Sequence, residues 1–565
     1  MSRAPIAPAV PGRTRRRIAA GTAALTALTL LAACSGPPGT GSGTGTGGTG
    51  NAASTAYTLS PSTPAPRGDI DSFTWALYAE PPTLDYISAF DYEQNMILSN
   101  VCESLMRWTP QLTEVPGLAE KVETPNPTTF VYDLRPDVHF QDGGVMTSAD
   151  VVYSLDRQMN PNLGSSWAQV FQNVTSITAT GPLQVTVRLK TPDSQFPQYM
   201  ATAAGVVASE KGIKAAGSNY GTSGSLDCTG PFTLGTWTKG QSIELDRFPG
   251  YWGTPAKSAK VVFDFITDPS ALTNALLTGE ADGGYLIPPT SYTRLKSSGV
   301  GTLYFGQGLT TVNVNITNLK GPLGDVRVRE ALSLALDRNG FVSTGLAGVG
   351  SASDSISPRA AWAAAPGSVV DSAFDGLPPA SSDLAANITK AKALIKAAGA
   401  TGKTVTLATS PIGPDVSLLA TAVQAAGEEI GLNVQLKTVS PDGYTALFTD
   451  AQARAGLDMF PETYYLSISD PMDILSNFQT GNYQNYAGYS NPAYDKLVDE
   501  ASSTYDTTAR LKIEAQLQQL EASQVLWIPA AEWPTALFMD KRITGAPTSI
   551  SYMYYPWAAD VGAAQ

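Results

Sequence analysis

One histidine and three cysteines supply all the imidazole and thiol in 565 residues. A Ser-His-Asp hydrolase would have to use His139, which lies in VHFQDGG with no G-x-S-x-G elbow beside it. Zinc sites cluster Cys and His, and Cys102 and Cys228 stand too far from each other and from a second ligand for any such spacing. No P-loop or dinucleotide-binding glycine pattern occurs, so neither metal nor cofactor is expected. The 49 Asp and Glu residues leave paired carboxylates open, because only folded distances make a glycosidase pair. Aromatic residues offer another chemistry. Tyr86, Tyr92, Trp167, Tyr464, Tyr465, Trp527, Trp533 and Trp557 lie mostly in turn-rich segments, where rings give contact area at low entropic cost and a polar handle. The ordinary place for most of them is the core.

The chain's beginning sets an address. Arg13, Arg15, Arg16 and Arg17 precede an apolar run, Ile18 to Ala33, in the layout of a signal peptide. That run is shorter than the roughly 20 residues of a membrane span. Leu31-Ala32-Ala33-Cys34 resembles the bacterial lipobox, which implies lipidation of Cys34 and cleavage before it; several acyl chains on one residue make a stable anchor. Thr14 to Ile18 also resembles a twin-arginine signal, so either export route stays open. Ser35 to Pro66 has no charged residue and reads as a flexible tether with ends about 30 Å apart. A net charge of −13 disfavours nucleic acid and anionic lipid. In an exported chain Cys102 and Cys228 read as a disulfide, or else as two small buried hydrophobes.

Elements to position any site follow from hydrophobic period. Phe73 to Tyr86 reads as a strand stopped at Pro81-Pro82, and Thr129 to Gly144 as an alternating strand and turn. Thr147 and Asp150 frame a capping box before Val151, Val152 and Leu155. Leu183 to Lys190 and Ser242 to Phe248 alternate, whereas Ala259 to Ile266 is dense enough in Val and Phe to predict burial on both faces. TVNVNI, Thr311 to Ile316, places Val312, Val314 and Ile316 on one face. Asn313 and Asn315 fall on the other, where their amides need partners. Asp325 to Gly340 reads as one helix ended by Gly340, Asp383 to Gly399 as another, and two strands flank a third, Asp415 to Ile430.

In order along the chain, EPPTLDY (Glu80 to Tyr86), VCESLMRWTP, PGLAEKVE, TFVYDLRPDVHFQDGGVMTSADVVYSLDR (Thr129 to Arg157), DVRVREALSLALDR and GYSNPAYDKLVDEA resemble the extracytoplasmic solute-binding proteins of family 5, the peptide- and nickel-binding components of ABC importers. The resemblance spans nearly all of Ile70 to Gly545. It implies an α/β, two-lobed, class II periplasmic-binding-protein-like fold with an extra subdomain and two crossing hinge segments. The implied division is residues 1–33 signal peptide, 34–66 lipidated Cys and tether, 67–310 first lobe, 311–529 second lobe, and 530–565 back in the first. Matching cleft positions are Phe90, Asp91, Tyr92, Trp167, Asn313, Asn315, Tyr444, Tyr464, Tyr465 and Ser467. Family peptide binders place an Asp three positions before an acidic residue and Pro. Here Asp470-Pro471 is preceded by Ser467, a hydroxyl that cannot supply the charge-assisted bond a buried ammonium needs.

The resulting expectation is a lipid-anchored, monomeric, non-catalytic receptor outside the cytoplasm that hands an oligopeptide or peptide-like solute to ABC permease subunits. With Ser467 in place, an oligosaccharide or another neutral cargo is the alternative; a surface glycan or lipid hydrolase and an orphan solute sensor are the readings of other classes.

Overall fold

The computed structural model describes residues 57–223, 226–378, 383–549 and 554–565. The expected signal segment, Cys34 and the tether as far as residue 56 lie outside them.

A mixed sheet of 11 strands is the frame. At one end the antiparallel strands Phe232–Thr238, Ser242–Arg247 and Ser258–Phe265 lead to the parallel partner Ile70–Leu77 and then to Gly283–Tyr285. At the other end Met459–Tyr465 is followed by the parallel pair Thr404–Thr409 and Asn433–Thr438. Two long antiparallel strands join the ends, Gly301–Ile316 and Trp527–Asp540. Their ladder runs from Gly301 opposite Asp540 to Gly306 opposite Thr535, shifts register, and resumes with Thr310 opposite Trp533. Beyond that shift Gly301–Ile316 gains a second neighbour, Met459–Tyr465. Irregular pairing of this sort bends strands and raises local twist. At Gly306 and Gly308 a Cβ would meet the backbone oxygens of Thr548 and Trp533 at 2.3 and 2.4 Å, so glycine is required for the close approach there.

Each end has its own packing. Val312, Val314 and Ile316 join Val328, Leu332, Leu407, Leu419 and Val434 in one core. A four-stranded antiparallel sheet, ordered Ala119–Asn126, Thr129–Leu134, Gln184–Leu189, Val174–Gly181, stands apart from the large sheet and is packed by the helix Ser148–Met159. That helix carries the expected capping box: Asp150 accepts from the Thr147 amide at 3.0 Å. Val151 and Leu155 are buried and Val152 is half-buried. Cys102 and Cys228 are joined as a disulfide with their Cα atoms 4.9 Å apart.

Three local expectations are corrected. Ser258–Phe265 alternates instead of burying both faces: Val261 and Phe263 are buried, while Val262 and Phe265 are half-buried, because only one face of this region of the sheet is fully covered. The helix expected to stop at Gly340 ends earlier, at Ala335. Asp337 accepts from the Gly340 amide at 2.8 Å and caps a new helix, Arg338–Gly345, so a local cap outcompetes continuation. Tyr57 to Pro66, read as the end of the tether, are docked instead. Their backbone finds partners, with the Ser60 amide on Phe305 O at 2.8 Å and Pro64 O on Thr544 Oγ1 at 2.6 Å, and the Tyr57 ring packs edge-on against Phe305.

Among the described residues no helix is long and apolar enough to cross a membrane, and no group of three or more His, Cys, Asp or Glu could hold a metal ion.

Candidate functional site

The loop Ala89–Tyr92 and the strand end Tyr464–Ser467 face each other. Asp91 caps the helix Tyr92–Val101, accepting from the Tyr92 amide at 2.7 Å, which fixes the loop's direction. The Trp167 indole is buried and donates to Ala89 O at 3.0 Å, so it supports the loop from beneath more than it lines a wall. Phe90 stands exposed on top, 5.3 Å from the Trp167 ring and 5.9 Å from Tyr465, and Tyr92 lies 4.5 Å from Tyr465. The Tyr465 hydroxyl donates to Phe90 O at 3.3 Å. Phe90, Asp91, Tyr92, Trp167 and Tyr465 are thus brought together.

Ser467 is buried beside them, its hydroxyl next to Tyr554. Its amide donates to Asp473 Oδ2 at 2.8 Å. The other Asp473 oxygen accepts from the Tyr199 hydroxyl at 2.7 Å, so this carboxylate ties Phe196–Tyr199 to the turn after Ser467. Asp473 is half-buried, and burial pushes its pKa up to about 6; the bonds from Tyr199 and Ser467 oppose the rise, and repulsion from Asp470 adds to it. Sequence reasoning missed both Asp473 and Tyr199. The side chain of Asp473 reaches back six residues to a backbone amide, and no residue spacing signals such a bond.

Asn313 and Asn315 sit on the opposite side of Gly301–Ile316 from the apolar core and are fully buried. Asn315 donates to Glu462 and Asn313 to Thr311 Oγ1 at 2.8 Å, which supplies the amide partners the pattern called for. Their Oδ1 atoms have no hydrogen-bond partner among the described residues. Burial raises the Glu462 carboxyl to about 7, against the bond from Asn315. Tyr464 is half-buried against Trp527, its hydroxyl bonded to Asp473 O at 3.1 Å. Tyr444 is elsewhere: buried among Phe448 and Phe460 with its hydroxyl on Pro461 O, it belongs to the interior. Tyr86, Trp527 and Trp557 are interior as well.

Asp91, Glu93, Glu462 and Asp473 all have raised pKa values with burial as the leading cause, and no ion-pair partner is found for any of them among the described residues. Asp91 is open to solvent on its outer side yet enclosed by protein on the others, as expected for a group at the lip of a cleft. His139 is exposed, its ring lies 3.2 Å from the Asp137 carbonyl, and among the described residues no nucleophile is paired with it. The convergence of Phe90, Tyr92 and Tyr465 beside Asp91 and Ser467 supplies ring surface and polar groups of the kind that hold a polar solute.

Comparisons with known proteins bear on the chain as a whole. The model of bacterial extracellular solute-binding proteins, family 5, matches residues 113–486. A glutathione-binding protein, GsiB, of Escherichia coli K12 is 26% identical over 428 residues, covering 74% of this chain and 80% of the relative; its counterpart in Salmonella paratyphi A is equally similar. Among solved structures, DppA of Helicobacter pylori in complex with the peptide STSA superposes with a TM-score of 0.75 at 20% identity, covering 88% of this chain and 99% of that one. The Escherichia coli murein tripeptide binding protein MppA gives 0.73 at 20% identity, covering 87% and 98%. With two-thirds of its length under the family model and a two-lobed mixed α/β fold shared with such proteins, the chain belongs to the bacterial extracellular solute-binding proteins, family 5.

Proposed function

We propose that this protein is the lipid-anchored receptor of an ABC importer, a monomer that closes two lobes around a peptide-like solute outside the cytoplasm and presents it to the permease. The first lobe comprises residues 67–310 and 530–565, and the second 311–529. The register shift between Gly306 and Thr310, opposite Thr535 and Trp533, supports a hinge near those limits. The observation that carries the reading is the set of bonds crossing the gap far from those strands. Tyr199 reaches Asp473, Gln198 reaches Asp470 at 2.9 Å, the Ser194 amide reaches Ser502 O at 2.8 Å, and Tyr505 reaches Pro127 O at 2.6 Å. Together with the ring contacts of Phe90 and Tyr92 on Tyr465, these bonds support a closed state, and a solute touching both sides favours closure by its differential affinity. Relatives named for glutathione and solved relatives holding peptide make a peptide-like cargo the best-supported class.

Native mass spectrometry of protein gently released from its membrane tests this. A peptide-like mass that leaves on mild unfolding, on a polypeptide acylated at Cys34, is expected. An unacylated chain would overturn the anchor, and a product mixture from added glycan or lipid would overturn the non-catalytic reading.

A further inference from the structure

The segment from Tyr57 to Pro66 is bound along the first lobe and reaches the second at its start. Its middle is pinned. Leu59 pairs with Phe305 as a short parallel bridge, Thr63 Oγ1 donates to Ala546 O at 2.7 Å and accepts from the Gly545 amide at 2.9 Å, and Pro64 O accepts from Thr544. Phe305 immediately precedes Gly306, where the ladder between Gly301–Ile316 and Trp527–Asp540 breaks register. The segment therefore lies against the last residues before the pivot. The Tyr57 ring stands edge-on to Phe305 at 5.4 Å, Phe305 is edge-on to Tyr292 at 5.3 Å, and the Tyr57 oxygen faces the Gly350 amide.

Gly350 lies in the loop that follows the helix Arg338–Gly345 of the second lobe, and that loop joins two cores. Leu346 is buried with Val312, Val314 and Leu332 of the second lobe. Val349, three residues on, is buried with Tyr292, Phe305 and Ala536 of the first, and Tyr57 and Ala347 pack on the same cluster. The crossing is tight: Ala347 and Gly350 both have positive φ, and a Cβ on Gly350 would meet Glu532 O at 2.8 Å. A backbone held in this way persists only where its surroundings over-determine it. Ser351–Ala352 then pairs with Glu532 and Ala531, on the strand that carries the other half of the pivot.

We propose that residues 57–66 form a strap that works as part of the hinge, with Tyr57 bridging Phe305 of the first lobe and Gly350 of the second and so holding the closed arrangement. This rests on the two-lobed receptor reading above and gives the docked segment a role beyond attachment. Rotation of the lobes about the pivot changes the separation of Phe305 from the loop at Val349 and Gly350. Tyr57, fixed through its neighbours to Thr544 and Ala546, stays with the first lobe, so opening loses its contact with the second. The chain toward Cys34 also leaves the body beside the pivot, where an anchor hinders the swing of either lobe least.

The test compares the mature protein, without added solute, with Tyr57→Ala and with the control Leu59→Ala, whose side chain is half in solvent. Amide hydrogen exchange is read at Gly348 and Val349, whose N–H groups bond Val342 O and Leu346 O at 2.9 Å, and lobe opening is read by small-angle X-ray scattering. Tyr57→Ala should speed exchange at both amides by about five- to tenfold and shift the scattering to a larger radius. Leu59→Ala should do neither. Unchanged exchange at Gly348 and Val349 overturns the strap, because the segment is then docked on the first lobe alone. Faster exchange at an unchanged radius overturns its hold on closure, and equal effects from Leu59→Ala overturn the assignment to Tyr57. Neither readout needs a solute, so failure here leaves the capture test of the receptor reading untouched.

Discussion

Asp470 and Asp473 share a backbone turn and differ in nearly everything that decides what a carboxylate does. One is locked to Arg510, which also pairs with Glu514 at 3.2 Å, inside the packing between Met472–Leu475 and the helix Thr507–Gln524. The other is bonded only by neutral groups, with its pKa pushed up by burial. A buried ion pair whose carboxylate oxygens both accept hydrogen bonds, as those of Asp470 do, serves architecture. A half-buried acid with no cation partner among the described residues weakens the fold at neutral pH. The comparison shows that compensation, more than burial, decides whether an acid stabilises the fold or strains it.

Removing the structural partner should have the largest effect. Asp470→Ala deletes the bonds from Arg510, Gln198 and the Met472 amide but leaves Arg510 paired with Glu514, and is expected to cost about 2 to 3 kcal/mol in urea unfolding; a cost near zero would break the comparison. Asp473→Asn should do the opposite. The acid's pKa is raised on folding, so the folded chain retains a proton that the unfolded chain releases between about pH 4 and pH 6, and wild-type stability falls as pH rises through that window. The variant lacks this loss and should be more stable than wild type by about 2 kcal/mol at pH 7.5, with no difference near pH 3. Tyr199→Phe deletes one bond across the gap. About 1 kcal/mol of closed-state stability, seen as roughly fivefold weaker capture and a larger radius in solution scattering, is expected. Ser467→Ala should change affinity for a free-amine cargo by less than about threefold, because its hydroxyl is neither charged nor the link to Asp473, whose contact is with the amide.

The sequence carried more of the frame than of the site. Alternation in Thr311 to Ile316 assigned both faces correctly, since a period of two leaves no choice once one face is apolar. Thr147 and Asp150 announced their helix because capping is local. The break at Leu336 was hidden by a continuous apolar stripe and decided by Asp337. Docking of Tyr57 to Pro66 depends on Phe305 and Thr544 to Thr548, far along the chain, and composition alone reads such a segment as loose. Of the residues expected at the cleft, Phe90, Asp91, Tyr92, Tyr465 and Ser467 converge, Trp167 supports them, and Tyr444 is interior. Position 467 was readable as a departure because a motif gives it a place. Asp473 was not, because its bond to the Ser467 amide comes from a turn that brings it back to that place.

A crystal structure of the protein with its captured solute tests the account most directly. It should show a peptide-like solute enclosed between the lobes, with Tyr199 still bonded to the Asp473 carboxylate. A solute bound outside the lobes, or a gap closed with no solute inside when saturated with peptide, would contradict it.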